Sequence, residues 1–201
     1  MPAIRLIVGL GNPGKQYALT RHNVGRWLLD AWHVAIAAPA WKTEHQFFAQ
    51  LSHVAKPDQA GHWLLKPTTY MNMSGQAVSA LVRFYKIPID SILILHDELD
   101  FPAGMARFKY GGGHNGHNGL KNIIAQLGNN HFWRLRLGIQ PTHKQEDMKD
   151  YVLSIPSGME KQQLTHAVSD ALAALPLIFD NMDKAIQILH SDASKRSNRI
   201  V

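Results

Sequence analysis

Apolar positions along this chain recur with two different periods. Ile4 to Leu10 is a short apolar run closed by glycines, the pattern of a buried strand. From His22 to Ala37 the apolar residues Val24, Trp27, Leu28, Ala31, Val34 and Ala35 fall at helical spacing. Phe47 to Val54 and Trp63 to Leu65 read as strands, with Lys56-Pro57-Asp58 and Ala60-Gly61 supplying the turn signals between them. Gln76 to Tyr85 is again helical, with Ser74 as its expected cap. Ser91 to Leu95 is rich in Ile and Leu, as a central strand buried on both faces requires. Met105 to Tyr110 and Trp133 to Ile139 alternate in part between apolar and basic residues, so each is expected to turn one face to solvent. Between them Leu120 to Leu127 predicts a helix ended by Gly128. Beyond Ser157 helical spacing runs to Ala174, breaks at Pro176 and resumes to about His190. Alternating strands and helices predict an α/β sandwich with a mixed sheet. No domain boundary interrupts it: residues 1–193 are expected to form one domain, and the polar tail 194–201 is expected to fray.

Composition narrows the class. Hydrophobic residues make up 45% of the 201, enough for a packed core, and charged residues 18%. No apolar run approaches the roughly 18 residues of a membrane span, and Ile4 to Leu10 is too short for a signal peptide. The absence of cysteine excludes disulfide scaffolds and thiolate metal sites. A soluble cytoplasmic protein is the natural expectation. The net charge of +6 matters more by position than by sum. Phe101 to Gln145 holds Arg107, Lys109, Lys121, Arg134, Arg136 and Lys144 with no Asp or Glu, and residues 1–29 hold Arg5, Lys15, Arg21 and Arg26, again without an acid. A one-sided basic field suits a polyanionic partner. Charge alone fits a solvated basic surface equally well.

Four segments carry candidate chemistry. The turn Gly9-Leu10-Gly11-Asn12-Pro13-Gly14 is followed by Thr20-Arg21-His22-Asn23; further on stand Tyr70-Met71-Asn72-Met73-Ser74-Gly75, His96-Asp97-Glu98-Leu99-Asp100, and Gly111 to Leu120 with His114, Asn115, His117 and Asn118. The first turn spells the dinucleotide fingerprint, but Pro13 removes an N–H the phosphate cradle needs, and no acid lies about twenty residues on to hold a ribose. Its glycines instead present Asn12, whose amide both donates and accepts. Among 12 histidines, His22 at a helix start suits a general base at neutral pH. Asp97, Glu98 and Asp100 compete equally as the carboxylate that would orient it. His114 and His117 are spaced for a metal but lack an adjacent third ligand, so no metal site is expected. With no Cys and no G-x-S-x-G elbow, elimination favours attack by water over a covalent nucleophile.

In this order and spacing, these segments resemble the bacterial peptidyl-tRNA hydrolases, esterases that free stalled peptides from transfer RNA; the likeness runs from Ile4 to about Leu153. The resemblance implies a single-domain, three-layer α/β/α sandwich with a twisted mixed sheet and C-terminal helices. It implies His22 as the base paired with Asp97, Asn12 as the residue that distinguishes N-blocked peptidyl substrates, and Asn72 as a substrate contact. Tyr70 and Met71 would line the pocket, Tyr17 would face the terminal nucleotide, and Asn118 would offer an amide at the next helix start. Asn12, Asn72 and Asn118 are the candidate donors to a developing oxyanion. Lys109 and Arg136 match residues that clamp the 5′ phosphate of the acceptor stem, and Lys144 matches one touching RNA backbone. No cofactor or metal is implied, and the partner is peptidyl-tRNA, with no membrane and no obligate protein partner for a monomer. Asn115 departs from the family, which usually has Gly there, and the chain is one residue short before Trp133 and again near Gln140-Pro141. Two alternatives remain: a non-catalytic RNA-binding protein on this fold, related to splicing factors, and a small-molecule hydrolase or nucleoside phosphorylase.

Overall fold

Alternate residues of the central strands enter opposite cores, and that alternation builds helical layers on both sides of one sheet. β1 (Leu6–Gly9) sends Ile7 one way and Leu6 and Val8 the other, and the later strand Ile92–Pro102 separates Leu93 and Leu95 from Ile92 and Ile94. The computed structural model describes residues 3–197, apart from 57–58 and 142–146. In chain order the other strands are β2 (Lys42–Glu44), β3 (Ala49–Lys56), β4 (Gln59–Pro67), then β5, the Ile92–Pro102 strand, β6 (Ala106–Tyr110) and β7 (Trp133–Gln140). They form a seven-stranded sheet in the order β2-β3-β4-β1-β5-β7-β6. β4, β1, β5 and β7 run parallel, while β2 and β3 on one side and β6 on the other pair antiparallel. The sheet is therefore mixed, as expected.

The Ile7 face is covered by α1 (Val24–Ala35) and, from the C-terminal part, α5 (Gly158–Ala174) and α6 (Met182–Ser197); the Leu6 face is covered by α2 (Ser74–Tyr85) and α3 (Asn118–Leu127). The short α4 (Met148–Val152) packs near the Arg21–Asn23 turn. This is the three-layer sandwich. Burying a Leu or Ile side chain contributes roughly 1.5–3 kcal/mol, so the two apolar clusters fix the register of the strands that enter them, which are all but β2.

The structure departs from the periodic reading in places. Ala60-Gly61 lies within β4 instead of its turn: a Cβ on Gly61 would stand 2.3 Å from the Val54 carbonyl oxygen, beside a register shift between Val54 and Lys56. Pro57 and Asp58, also read as turn signals, lie outside the described residues. Ser74 is the first residue of α2 and not its cap; its hydroxyl donates to the Met71 carbonyl at 2.9 Å. β5 continues well past Leu95, so Asp97 stands inside the strand. The solvent-facing side predicted for β7 is largely buried, because the Arg134 guanidinium is taken up by the carbonyls of Gly112 and Gly113. Helix α6 runs on past His190 to Ser197.

Candidate active site at the strand ends

The carboxyl ends of the parallel strands open on a cavity of about 670 Å³, where open α/β sheets place ligands. His22 reaches it from a single 3₁₀ turn, Arg21–Asn23, that leads into α1. Position 25 allows α1 to lie against β5 because it is glycine: a Cβ there would stand 2.1 Å from the Leu95 carbonyl oxygen. This approach brings His22 Nδ1 to 2.9 and 3.0 Å from the two carboxylate oxygens of Asp97, both side chains being buried. The Nδ1–H donates to the carboxylate, and Nε2 keeps the lone pair for the cavity that His22 lines. Burial opposes the imidazolium, but the charge and hydrogen bond of Asp97 outweigh it and hold His22 above its ordinary 6.5. Burial likewise opposes the Asp97 charge, yet His22 and His117 hold that carboxyl well below the usual range.

His117 is the partner that residue spacing did not assign. Its Nδ1 accepts from the N–H groups of Gly119 and Leu120 at 3.1 and 3.3 Å, capping α3. The proton is therefore on Nε2, which donates to Asp97 Oδ1 at 3.0 Å. Asp97 thus receives two imidazole N–H groups from rings 4.9 Å apart. The ligand atoms of His22, Asp97 and His117 lie within 4.8 Å of one another, a spacing a metal ion would suit. The hydrogen bonding does not suit one: with Nδ1 committed to α3, a cation on His117 Nε2 would need a ring without a proton on either nitrogen.

Asn12 is held as firmly. Its Oδ1 accepts from the Met71 N–H at 2.8 Å, its own N–H donates to Asn23 Oδ1 at 2.8 Å, and Asn23 Nδ2 donates back to its carbonyl at 2.9 Å. Arg26 adds donors to the same carbonyl and to that of Pro67. With Oδ1 occupied, Nδ2 is left for the cavity. The Leu10 N–H is bound to the Leu95 carbonyl at 3.0 Å and the Asn12 N–H to Asn23, so neither of these N–H groups is offered to a phosphate. Met71 is buried in the wall, Asn72 and Asn118 are exposed along it, and Tyr17 and Tyr70 meet edge to face at 6.3 Å. Leu99, Met148 and Val152 supply an apolar side.

A second cavity, of about 270 Å³, lies alongside. The register of β6 on β7 pairs Arg107 with Arg136 and Lys109 with Arg134, so these cations share one face while Phe108, Leu135 and Leu137 enter the core on the other. Lys109, Arg134 and Arg136 line this cavity together with Glu98 and Asp100. Burial lowers the Arg136 pKa against the pull of Glu98, whose Oε2 is 3.6 Å away. Burial and the neighbouring Arg136 lower Arg134 to about 10.

Of the residues singled out in the sequence, Asn12, Tyr17, His22, Tyr70, Met71, Asn72, Asp97 and Asn118 line the first cavity, and Lys109 and Arg136 line the second. Lys144 lies outside the described residues. Among the three competing acids, Asp97 meets His22, Glu98 turns to Asn115 and Arg136, and Asp100 is exposed.

The model of the peptidyl-tRNA hydrolase family matches residues 6–198. The peptidyl-tRNA hydrolase of Methylobacillus flagellatus is 51% identical over 194 residues, 95% of this chain and 98% of that protein. The one from Coxiella burnetii is 51% identical over 190 residues, 94% and 98% of the two chains. The crystal structure of peptidyl-tRNA hydrolase from Acinetobacter baumannii matches with a TM-score of 0.86 at 37% identity, over 92% of this chain and 94% of that one. Sequence and fold agree over nearly the whole length, and the chain belongs to the peptidyl-tRNA hydrolase family.

Proposed function

We infer that this chain is an enzyme that hydrolyses the ester between a peptide's C-terminal carbonyl and the 3′-terminal ribose of transfer RNA, returning the RNA to translation. Family membership carries the reaction. The observation that carries the mechanism is the His22–Asp97 pair, with Nδ1 on the carboxylate and Nε2 free for the cavity. Nε2 takes a proton from water as the oxygen attacks the ester carbonyl, and Asp97 stabilises the imidazolium that forms. The oxyanion is met by amide donors from Asn12, Asn72 and Asn118. On collapse the ribose oxygen leaves and recovers the proton from Nε2.

Asn12 Nδ2, fixed by its network, also reads the blocked end of the peptide. Tyr70 and Met71 form pocket wall, and Tyr17 offers a stacking face to the terminal nucleotide. Lys109 and Arg136 hold the 5′ phosphate of the acceptor stem, and Lys144 contacts RNA backbone more loosely. The reaction as drawn needs no cofactor or metal. Residues 1–193 act as one domain, and the chain works as a cytoplasmic monomer without an obligate protein partner. No helix among the described residues is long and apolar enough to cross a membrane.

The test is release of N-acetylated amino acid from transfer RNA by the purified protein. Turnover without added phosphate is expected, slowed by roughly 10² to 10⁴ in His22→Ala. Binding of RNA without turnover would return the chain to the RNA-binding alternative, and a requirement for inorganic phosphate would point to phosphorolysis.

A further inference from the structure

The two cavities share a wall built around one carboxylate. Glu98 and Asn115 line both the cavity around His22 and the one around Lys109 and Arg136. Glu98 is 7% exposed, and its carboxylate is divided between the two sides. Oε1 accepts from Asn115 Nδ2 at 3.0 Å and from the Asp100 N–H at 3.3 Å, while Oε2 faces the Arg136 guanidinium at 3.6 Å. Asn115 belongs to the loop that leads into His117 and Asn118. The backbone of that loop offers little rigidity of its own: Gly111, Gly112, Asn115 and Gly116 all stand at positive φ, of 64°, 94°, 45° and 75°. Side-chain tethers therefore set its position. They are Arg134 on the carbonyls of Gly112 and Gly113, Asn130 on that of Gly112, Asn115 on Glu98, and His117 on Asp97. Among them, the Asn115 tether is the one whose acceptor is also paired with a cation of the second cavity.

We propose that Glu98 is a positioning residue that couples a phosphate in the basic cavity to the setting of the catalytic loop. A phosphate drawn to Lys109 and Arg136 competes with Glu98 for the Arg136 guanidinium. A buried carboxylate that loses its cationic neighbour leans harder on its remaining donors, and these are Asn115 Nδ2 and the Asp100 N–H. The Asn115 bond tightens and holds His117 on Asp97 and Asn118 at the rim of the first cavity. Binding at the RNA end becomes positioning at the ester end. A substrate without the phosphate is then turned over slowly as well as bound weakly. The inference rests on the reading of Lys109 and Arg136 as the phosphate site and deepens it.

Two acceptor-stem RNA duplexes carrying the same N-acetylaminoacyl ester, one with a 5′ phosphate and one with a 5′ hydroxyl, separate these effects when kcat and KM are measured for each. In the unaltered enzyme the phosphate lowers KM and also raises kcat, on the order of fivefold, the low end of the range for coupled sites. In Asn115→Gly, where glycine accepts the left-handed backbone but has no donor, the KM effect persists and the kcat ratio falls to about one. Glu98→Gln keeps an acceptor for Asn115 but no charge for Arg136, and loses the kcat effect in the same way. A kcat ratio near unity in the unaltered enzyme, or one that both variants retain, overturns the coupling while leaving the phosphate site standing. An unaltered enzyme in which the phosphate changes neither constant overturns the phosphate-site reading and the coupling with it. Failure to hydrolyse either ester overturns the hydrolase reading itself.

Discussion

His22 is a base only while Nε2 is unprotonated, so the carboxylate that orients its ring also sets the pH at which activity is lost. The neutral form disappears as pH falls through a pKa that Asp97 holds above 6.5 against burial. The acid limb of kcat/KM should therefore have its midpoint above pH 6.5. Asp97→Asn removes the opposing charge, leaves burial to act, and should move that limb to lower pH. Turnover should also fall, though less than in His22→Ala, because an amide can face the imidazole with a donor and favour the wrong tautomer. An acid limb that stays in place in Asp97→Asn would mean that another group titrates there. The choice of Asp97 over Glu98 and Asp100 was only half legible in the sequence. Once β5 is seen to run past Leu95, strand alternation decides it: Asp97 shares the face of Leu93 and Leu95 toward α1, and Glu98 turns the other way. The role of His117 was not legible, since it depends on backbone N–H groups of α3 fixing the tautomer of a ring that meets Asp97 only in the folded chain.

At the scale of elements, the site depends on how closely α1 lies on β5. Gly25→Ala would place a Cβ 2.1 Å from the Leu95 carbonyl oxygen, a backbone atom that no rotamer change moves aside. The helix would have to shift, at a cost of about 1–3 kcal/mol for overpacking, and would carry His22 away from Asp97. The variant should show both a lower Tm and a marked loss of kcat; a lowered Tm with normal kcat would show that the Arg21–Asn23 turn is held independently of α1. A second support for this turn comes from the C-terminal layer. The Arg21 guanidinium is gripped by both carboxylate oxygens of Glu160, by the Ser154 carbonyl and hydroxyl, and lies 4.2 Å over the Tyr151 ring. Nothing in the sequence signals that contact, because its partners are far apart in the chain. Long periodic segments were readable: α1, α2, α3 and α5 stand where apolar spacing puts them. β2, with three residues, and α4, with five, are too short to carry a period. Arg134 misled for a related reason, since a basic residue on an edge-adjacent strand reads as solvent-facing until a loop supplies the carbonyls that let it be buried.

Over the whole molecule, the acid-free segment from Phe101 to Gln145 contributes β6 and β7, which pair antiparallel although α3 lies between them in the chain, and this pairing places Lys109 and Arg136 in one cavity. A linear charge count overstates how one-sided that field is, because Glu98 and Asp100 enter the same cavity from β5. What survives is a division of labour by position: cations beside one cavity, amides and the His22–Asp97 pair around the other. Substitutions at the two should separate by substrate. Lys109→Ala should weaken full-length peptidyl-tRNA chiefly through KM and flatten its salt dependence, since each lost phosphate contact reduces counterion release by about one ion. It should leave a 3′-terminal fragment lacking the acceptor stem nearly unaffected. Asn12→Ala removes the amide that Met71 and Asn23 hold in place, and should impair both substrates without changing the salt slope. Measuring both variants on both substrates across a salt series distinguishes the roles. Equal losses on fragment and full-length RNA for Lys109→Ala would mean that this lysine supports the glycine loop, where its Nζ would stand 2.9 Å from a Cβ on Gly112, and the assignment of a phosphate clamp would fall.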